Sequence, residues 1–172
     1  MKLLIAAYLT AIVIANLTVA WFGPSVVIVN ALVLISLDIT SRDKLHELWH
    51  GAHLRRNMAL LIAAGSILSA ALDYAALPVA AASFVAFALS ETADTLVYAR
   101  LEERGWFVKV NGSNLASAAV DSLVFLSLLA AFGGLPWALV PALAAAQFVA
   151  KVAGGGAWAW ALRPRGGDAH AN

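Results

Sequence analysis

The sequence predicts an all-α membrane protein, a bundle of six transmembrane helices with both termini in the cytoplasm. Three observations carry that prediction. Of 172 residues, 62% are hydrophobic and 12% charged, with a mean hydropathy of +0.84, whereas a soluble domain carries roughly 25% charged residues. The apolar residues gather into continuous runs rather than alternating ones, which selects helices over a barrel. Ten of the eleven Lys and Arg residues fall where such helices would place them on one side. This balance excludes a soluble enzyme and a disordered tail. A net charge of +1 also leaves no surplus of cations to meet phosphates, so nucleic acid is not a partner. With no cysteine there is no disulfide, no thiolate metal site and no cysteine nucleophile.

A spanning helix needs about 20 mostly apolar residues, and the runs cover 3–22, 24–39, 58–77, 78–99, 114–135 and 136–162. Lys2 precedes the first. Ala15 to Ala20 offers small residues for signal-peptide cleavage, but removal would strand the next basic loop without its partner helix, so the first run is read as uncleaved. Gly23-Pro24 leads into the second and shortest run, after which come Arg42, Lys44, Arg55 and Arg56. Leu77-Pro78 divides the third from the fourth, and Arg100, Arg104 and Lys109 follow the fourth. Gly133-Gly134-Leu135-Pro136 divides the fifth from the sixth, and Arg163 and Arg165 close the set. Uncharged connections thus alternate with basic ones, and the positive-inside rule makes the basic side cytoplasmic. Residues 1–163 are expected to form the bundle and 164–172 a flexible cytoplasmic tail. The lipid bilayer, of a bacterial cytoplasmic membrane, is the first partner.

The eleventh basic residue, Lys151, lies inside the sixth run, while Asp73, Glu91, Asp94 and Asp121 lie inside the third to fifth. Asp38 sits at the cytoplasmic end of the second. Each such charge costs about 2.5–3.5 kcal/mol in a membrane and marks a substrate or ion path. At about 1.5 Å of rise per residue, Glu91, Asp94, Asp121 and Lys151 reach one layer in the inner half of the bundle. Glu91 and Asp94 share a helix face, as do Gln147 and Lys151. Asp73 falls near the outer surface. One lysine among carboxylates also suits a plain structural ion pair, but a layer of four charges favours a site.

His46-Glu47-Leu48-Trp49-His50 spells the H-E-x-x-H pattern of zinc metallopeptidases, which puts two imidazoles on one helix face beside a glutamate base. The motif lies in a basic loop, and no third ligand is evident beyond Asp38, Asp43 and His53. An amphipathic connecting helix, with Leu45, Leu48, Trp49 and Ala52 as its apolar stripe, accounts for the same residues. No metal and no cofactor are expected.

Specific strings then point to a family. The segment Ser90-Glu91-Thr92-Ala93-Asp94-Thr95-Leu96-Val97-Tyr98-Ala99-Arg100-Leu101, with Glu102-Glu103-Arg104-Gly105 after it, resembles a hallmark of the VUT family of queuosine precursor transporters. Ala119-Val120-Asp121-Ser122-Leu123-Val124-Phe125 and Gln147-Phe148-Val149-Ala150-Lys151 resemble later family segments. Arg42-Asp43 matches the pair that ends the family's second helix, and Asn16 with Gly23-Pro24 fits its first. The chain is shorter than many members, and the histidine pair of the first basic loop departs from the family pattern.

The resemblance implies import of a 7-deazaguanine, 7-cyano-7-deazaguanine or its aminomethyl relative, for salvage into tRNA. A guanine-like edge presents adjacent N–H donors that a carboxylate accepts in pairs, and a carbonyl that needs a donor. Glu91 or Asp94 would take the donor edge and Lys151 or Gln147 the carbonyl, while Asp121 would hold Lys151 charged or bind a coupling proton. Asp38, Arg42 and Asp43 would act as gate or helix-end contacts. Asn114 and Ser117 share one face of the fifth helix, and Gly154-Gly155-Gly156 would allow close approach or a break in the sixth. Two other functions stand beside transport: a membrane-bound zinc peptidase on His46, Glu47 and His50, or a substrate-binding membrane subunit with an energising partner. The chain carries no nucleotide-binding G-x-x-x-x-G-K loop, so pumping would need an ion gradient, a partner or metabolic trapping.

Overall fold

Inside lipid a backbone amide has only another backbone group to bond, so near-continuous apolar sequence folds into helices. The computed structural model describes residues 2–38, 40, 41, 45, 49 and 54–161, and among these there is no strand. Helix α1 covers Lys2–Phe22. Gly23, at φ +67°, then opens a 3-10 turn, Gly23–Val26, in a left-handed conformation that a residue with a side chain adopts only at a cost. The chain doubles back there. Asn30 Nδ2 donates to the Ala15 carbonyl at 3.2 Å and to Thr18 Oγ1 at 2.8 Å, whereas one straight helix would hold these positions about 20 Å apart. The returning segment is α2, Val27–Asn30, followed by a π-helical turn, Ala31–Ile35, and helical residues 36–38.

Helices α3 (Leu54–Leu72), α4 (Leu77–Arg100), α5 (Trp106–Ala131) and α6 (Val140–Ala161) complete the fold. Short 3-10 turns at Tyr74–Ala76 and Trp137–Leu139 lead into α4 and α6. Packing runs from α4 to α5, α6, the α2 segment, α1, α3 and back to α4, which closes a ring. Consecutive segments run antiparallel. The ends that carry Lys2, Arg56, Arg100, Arg104 and Lys109 therefore lie together, opposite the Gly23, Asp73 and Gly133 turns. Val19, Val79, Ala82, Phe125, Leu129 and Val140 pack into one apolar cluster towards the turn end. A second, towards the charged end, joins Tyr8 and Ile12 to Met58 and Ile62.

Four segments are long and apolar enough to cross a membrane by length and composition: Lys2–Asp38, Tyr74–Arg100, Asn111–Ala131 and Trp137–Trp158. The first contains the Gly23 turn, and a shorter apolar helix covers Arg56–Leu72. Leu60, Ile67, Leu123 and Val149 are each more than half exposed, an outward apolar surface suited to lipid and not to water.

Several boundaries differ from those expected, three of them with a clear cause. The third helix ends at Leu72, because Asp73 takes an extended backbone and its carboxylate accepts the Ala75 N–H at 2.9 Å, capping the next turn. The fifth begins at Trp106, since helical bonding continues through Lys109 and Asn111 after hydropathy has fallen. The sixth begins at Val140, preceded by its 3-10 turn, and runs unbroken through Gly154, Gly155 and Gly156. Gly154 serves close approach: a Cβ there would overlap the Leu32 carbonyl oxygen and Ser36 Oγ. Arg42, Asp43, the His46, Glu47 and His50 motif and the 164–172 tail lie outside the described residues. From the same stretch, Leu45 is fully buried against Tyr8 and Met58, so it packs into the bundle rather than against lipid.

Candidate functional site

Lys151 lies midway along α6 and is 2% exposed. An ammonium has three donors and no acceptor, and here each donor has a partner. Its Nζ donates to Asp121 Oδ2 on α5, to Ser122 Oγ at 3.0 Å and to Gln147 Oε1 at 3.2 Å. Gln147 is one helical turn before Lys151 on the same face, and Ser122 is adjacent to Asp121. The lysine is thus sealed while the Asp121 side chain stays 25% exposed. A buried ammonium keeps its charge only with such compensation.

The opening beside this cluster is a cavity of about 80 Å³ at the centre of the ring, lined by Lys151, Asp121, Gln147 and also Asp38. That volume holds several waters. Asn16, Asn30 and Ser83 add polar groups to its wall, and Phe87 and Phe125 add aromatic rings. These polar groups are tied down. Ser83 Oγ donates to Asn16 Oδ1 at 2.7 Å, Asn16 Nδ2 donates to Ser69 Oγ at 3.2 Å, and Ser69 Oγ donates to the Gly65 carbonyl at 2.8 Å. One hydrogen-bonded chain therefore fixes α1, α3 and α4 around the chamber.

The π-helical turn reaches the same place from α2. Such turns sit frequently at functional sites. Ser36 Oγ lies 2.6 Å from the Ala31 carbonyl oxygen and 3.2 Å from that of Lys151. Trp158 Nε1 donates to the Val33 carbonyl at 3.0 Å, serving an acceptor within the turn. With Gly154 admitting Leu32 and Ser36 to close contact, the segment that carries Asp38 is fastened to the helix that carries Lys151.

The residues singled out by sequence separate in space. Asp121, Gln147 and Lys151 come together, and Asp38 lines the same cavity. Glu91 does not join them: it lines a separate cavity of about 280 Å³ between α3 and α4, with Met58, Phe84 and Thr95. The expected single layer of charge is therefore two places. At 100° per residue, Glu91 is turned about 40° from Phe87 towards α3, a rotation that equal depth conceals. Asp94 follows Phe87 by two turns, nearer the charged end, and lines none of these cavities; its Oδ1 is buried with no donor among the described residues. Asn30, Ser83 and Ser122 were not foreseen as site residues. Their signal was available, since amides and hydroxyls in spanning helices either bridge helices or line a path. Among the described residues no group of three His, Cys, Asp or Glu side chains could hold a metal ion.

At the turn end, Trp21 Nε1 donates to Asp73 Oδ2 at 2.7 Å. That bond, with the Ala75 N–H, lowers the Asp73 carboxyl below its usual range.

A ring of apolar-faced helices around a mainly apolar chamber, with a buried ion pair in the chamber wall, fits a helical membrane protein of the transporter class. The chain belongs to the family described as putative vitamin uptake transporter, whose model matches residues 2–157. Neither the curated proteins nor the solved structures return a match.

Proposed function

We propose that this protein imports a 7-deazaguanine queuosine precursor, 7-cyano-7-deazaguanine or its aminomethyl relative, and is not an enzyme. The chain crosses the bacterial cytoplasmic membrane six times in this reading, with both termini inside and the charged end cytoplasmic. One observation carries the substrate class. The central cavity offers carboxylates from Asp38 and Asp121, N–H donors from the Gln147 amide, and the rings of Phe87 and Phe125. A flat guanine-like ring needs that combination: paired acceptors for its N–H edge, a donor for its carbonyl and aromatic faces to lie against. Family membership supports uptake of a small cofactor-like molecule.

Asp38 and Asp121 take the donor edge, and Gln147 turns its N–H towards the carbonyl while its oxygen holds Lys151. Lys151 holds Asp121 and Gln147 in place in the wall. Glu91 and Asp94 act away from the ring, at the α3–α4 cavity and near the cytoplasmic exit. Arg42 and Asp43 serve as helix-end contacts at the same exit. Binding tests the reading: purified protein in lipid nanodiscs binds 7-cyano-7-deazaguanine, and Lys151→Met and Asp121→Asn variants do not. Equal binding by either variant removes that residue from the site, and no binding by the parent protein removes the substrate.

A further inference from the structure

Below the central cavity, towards the charged end, lies a second one of about 60 Å³. The two share four lining residues: Ile35, Asp38, Phe87 and Asp121. What is new in the second is Ser90, Asn114, Ser117 and Ala118. Ser90 and Ser117 are 3% and 5% exposed, so hydroxyl-bearing residues are sequestered deep inside apolar helices. The cavities are stacked along the bundle axis. The central one reaches Val19 and Val27 beside the Gly23 turn, while the second reaches Asn114, about 12 Å by helical rise from the charged-end start of α5.

We propose that this second cavity is an inner binding station for the same class of ligand, a flat ring with adjacent N–H donors. Asp38 and Asp121, with Ile35 and Phe87, form the partition the ligand crosses to reach it. The proposal rests on the transport reading and deepens it. Both carboxylates border both chambers, so a ligand holding them by its donor edge need not surrender its acceptors on passing from one to the other. Asn114 supplies a fresh donor and acceptor on the inner side. On the opposite side of the central cavity Val19, Val79, Phe125, Leu129 and Val140 pack into apolar core, so among the described residues the cavity continues towards the charged end. One wall of the partition is also tied to α6. Ile35 ends the π-helical turn, and Ser36 beside it bonds the Lys151 carbonyl, so a movement of α6 around its lysine pulls on the partition.

The test uses the absence of cysteine from the chain. Ser117→Cys and, as a second reporter, Ala118→Cys place a thiol in the inner chamber; Ser83→Cys places one in the central cavity; Leu123→Cys faces lipid. Each full-length variant is treated with a membrane-impermeant methanethiosulfonate in vesicles of both orientations, with and without 7-cyano-7-deazaguanine. The inner-chamber thiols should react at least about tenfold faster from the cytoplasmic face than from the other, and than the lipid-facing control. Ligand at about ten times its Kd should slow that reaction, and the Ser83→Cys reaction, about tenfold. Reaction at the slow rate of the lipid-facing control for both inner reporters overturns the chamber as part of a path. Protection at Ser83→Cys alone overturns the inner station and leaves the transport reading standing. Protection at neither site, in variants that keep the parent melting behaviour, overturns the substrate and the inner station together.

Discussion

Removing Lys151 is the most informative perturbation, because its consequence for stability and for transport can be separated. Lys151→Met keeps the length and apolar stem of the side chain but deletes three hydrogen bonds and leaves Asp121 without its counter-charge. Losing one partner of a buried pair costs about 3–5 kcal/mol. Asp121 remains 25% exposed and is partly relieved by water, so the low end, about 3 kcal/mol, is expected. Asp121→Asn leaves the ammonium sealed, but Ser122 and Gln147 still accept from it, and about 2 kcal/mol is expected. In Lys151→Met/Asp121→Asn no charge is left uncompensated, so the double variant should recover about 2 kcal/mol relative to the sum of the singles. Reversible unfolding in mixed micelles measures the cycle, and ligand uptake is read in the same variants. The account predicts a stable double variant whose uptake stays at least about tenfold down, a loss of about 1.4 kcal/mol of ligand interaction or more. Restored uptake in the double variant would refute the reasoning, because the pair would then be a structural fastening and no part of the site.

Other consequences are simpler to read. Gly154→Ala drives a Cβ into the Leu32 carbonyl and Ser36, so it should cost about 1–3 kcal/mol, whereas Gly155→Ala meets nothing within 4 Å and should not destabilise; thermal unfolding of both separates them. Phe87→Ala removes a ring shared by both chambers and should weaken ligand binding about fivefold, the worth of roughly 1 kcal/mol of stacking, as measured by equilibrium binding. The Asp73 carboxyl is lowered from 3.8, first by Trp21 and then by the Ala75 N–H. The link is therefore complete above pH 3.8 and lost only as pH falls through the lower folded value. The Trp21 indole N–H resonance should report a midpoint below 3.8, and a midpoint at or above it contradicts the assigned contact.

Much of the architecture was legible because the membrane permits little else. Long apolar runs separated by Gly, Pro or charge become helices, and alternating basic connections fix which ends lie together. The boundary errors have a common cause: hydropathy marks where lipid ends, not where helical hydrogen bonding ends, as Trp106 to Asn111 shows. The pairing of Lys151 with Gln147 followed from a four-residue spacing on one face, and its meeting with Asp121 from depth. Depth failed for Glu91, since the rotation of a helix about its axis depends on neighbours that a single run does not name. The π-helical turn at Ala31–Ile35 was invisible for a related reason. It arises where Gly154 brings α6 against the chain and Ser36 bridges two carbonyls, a long-range contact with no local sequence mark. Small polar residues such as Asn30 and Ser83 carry no local mark that separates helix contact from cavity lining, and only the cavity beside them distinguishes the two.

The central claim is met most directly by uptake in a bacterial host unable to make queuosine precursors and lacking an importer of its own. Such cells are given 7-cyano-7-deazaguanine at low concentration, and queuosine in their tRNA is measured. The account predicts that the parent protein and His46→Ala/His50→Ala restore queuosine, while Lys151→Met, Asp121→Asn and their double variant do not. A membrane-inserted parent protein that leaves the tRNA unmodified would contradict it.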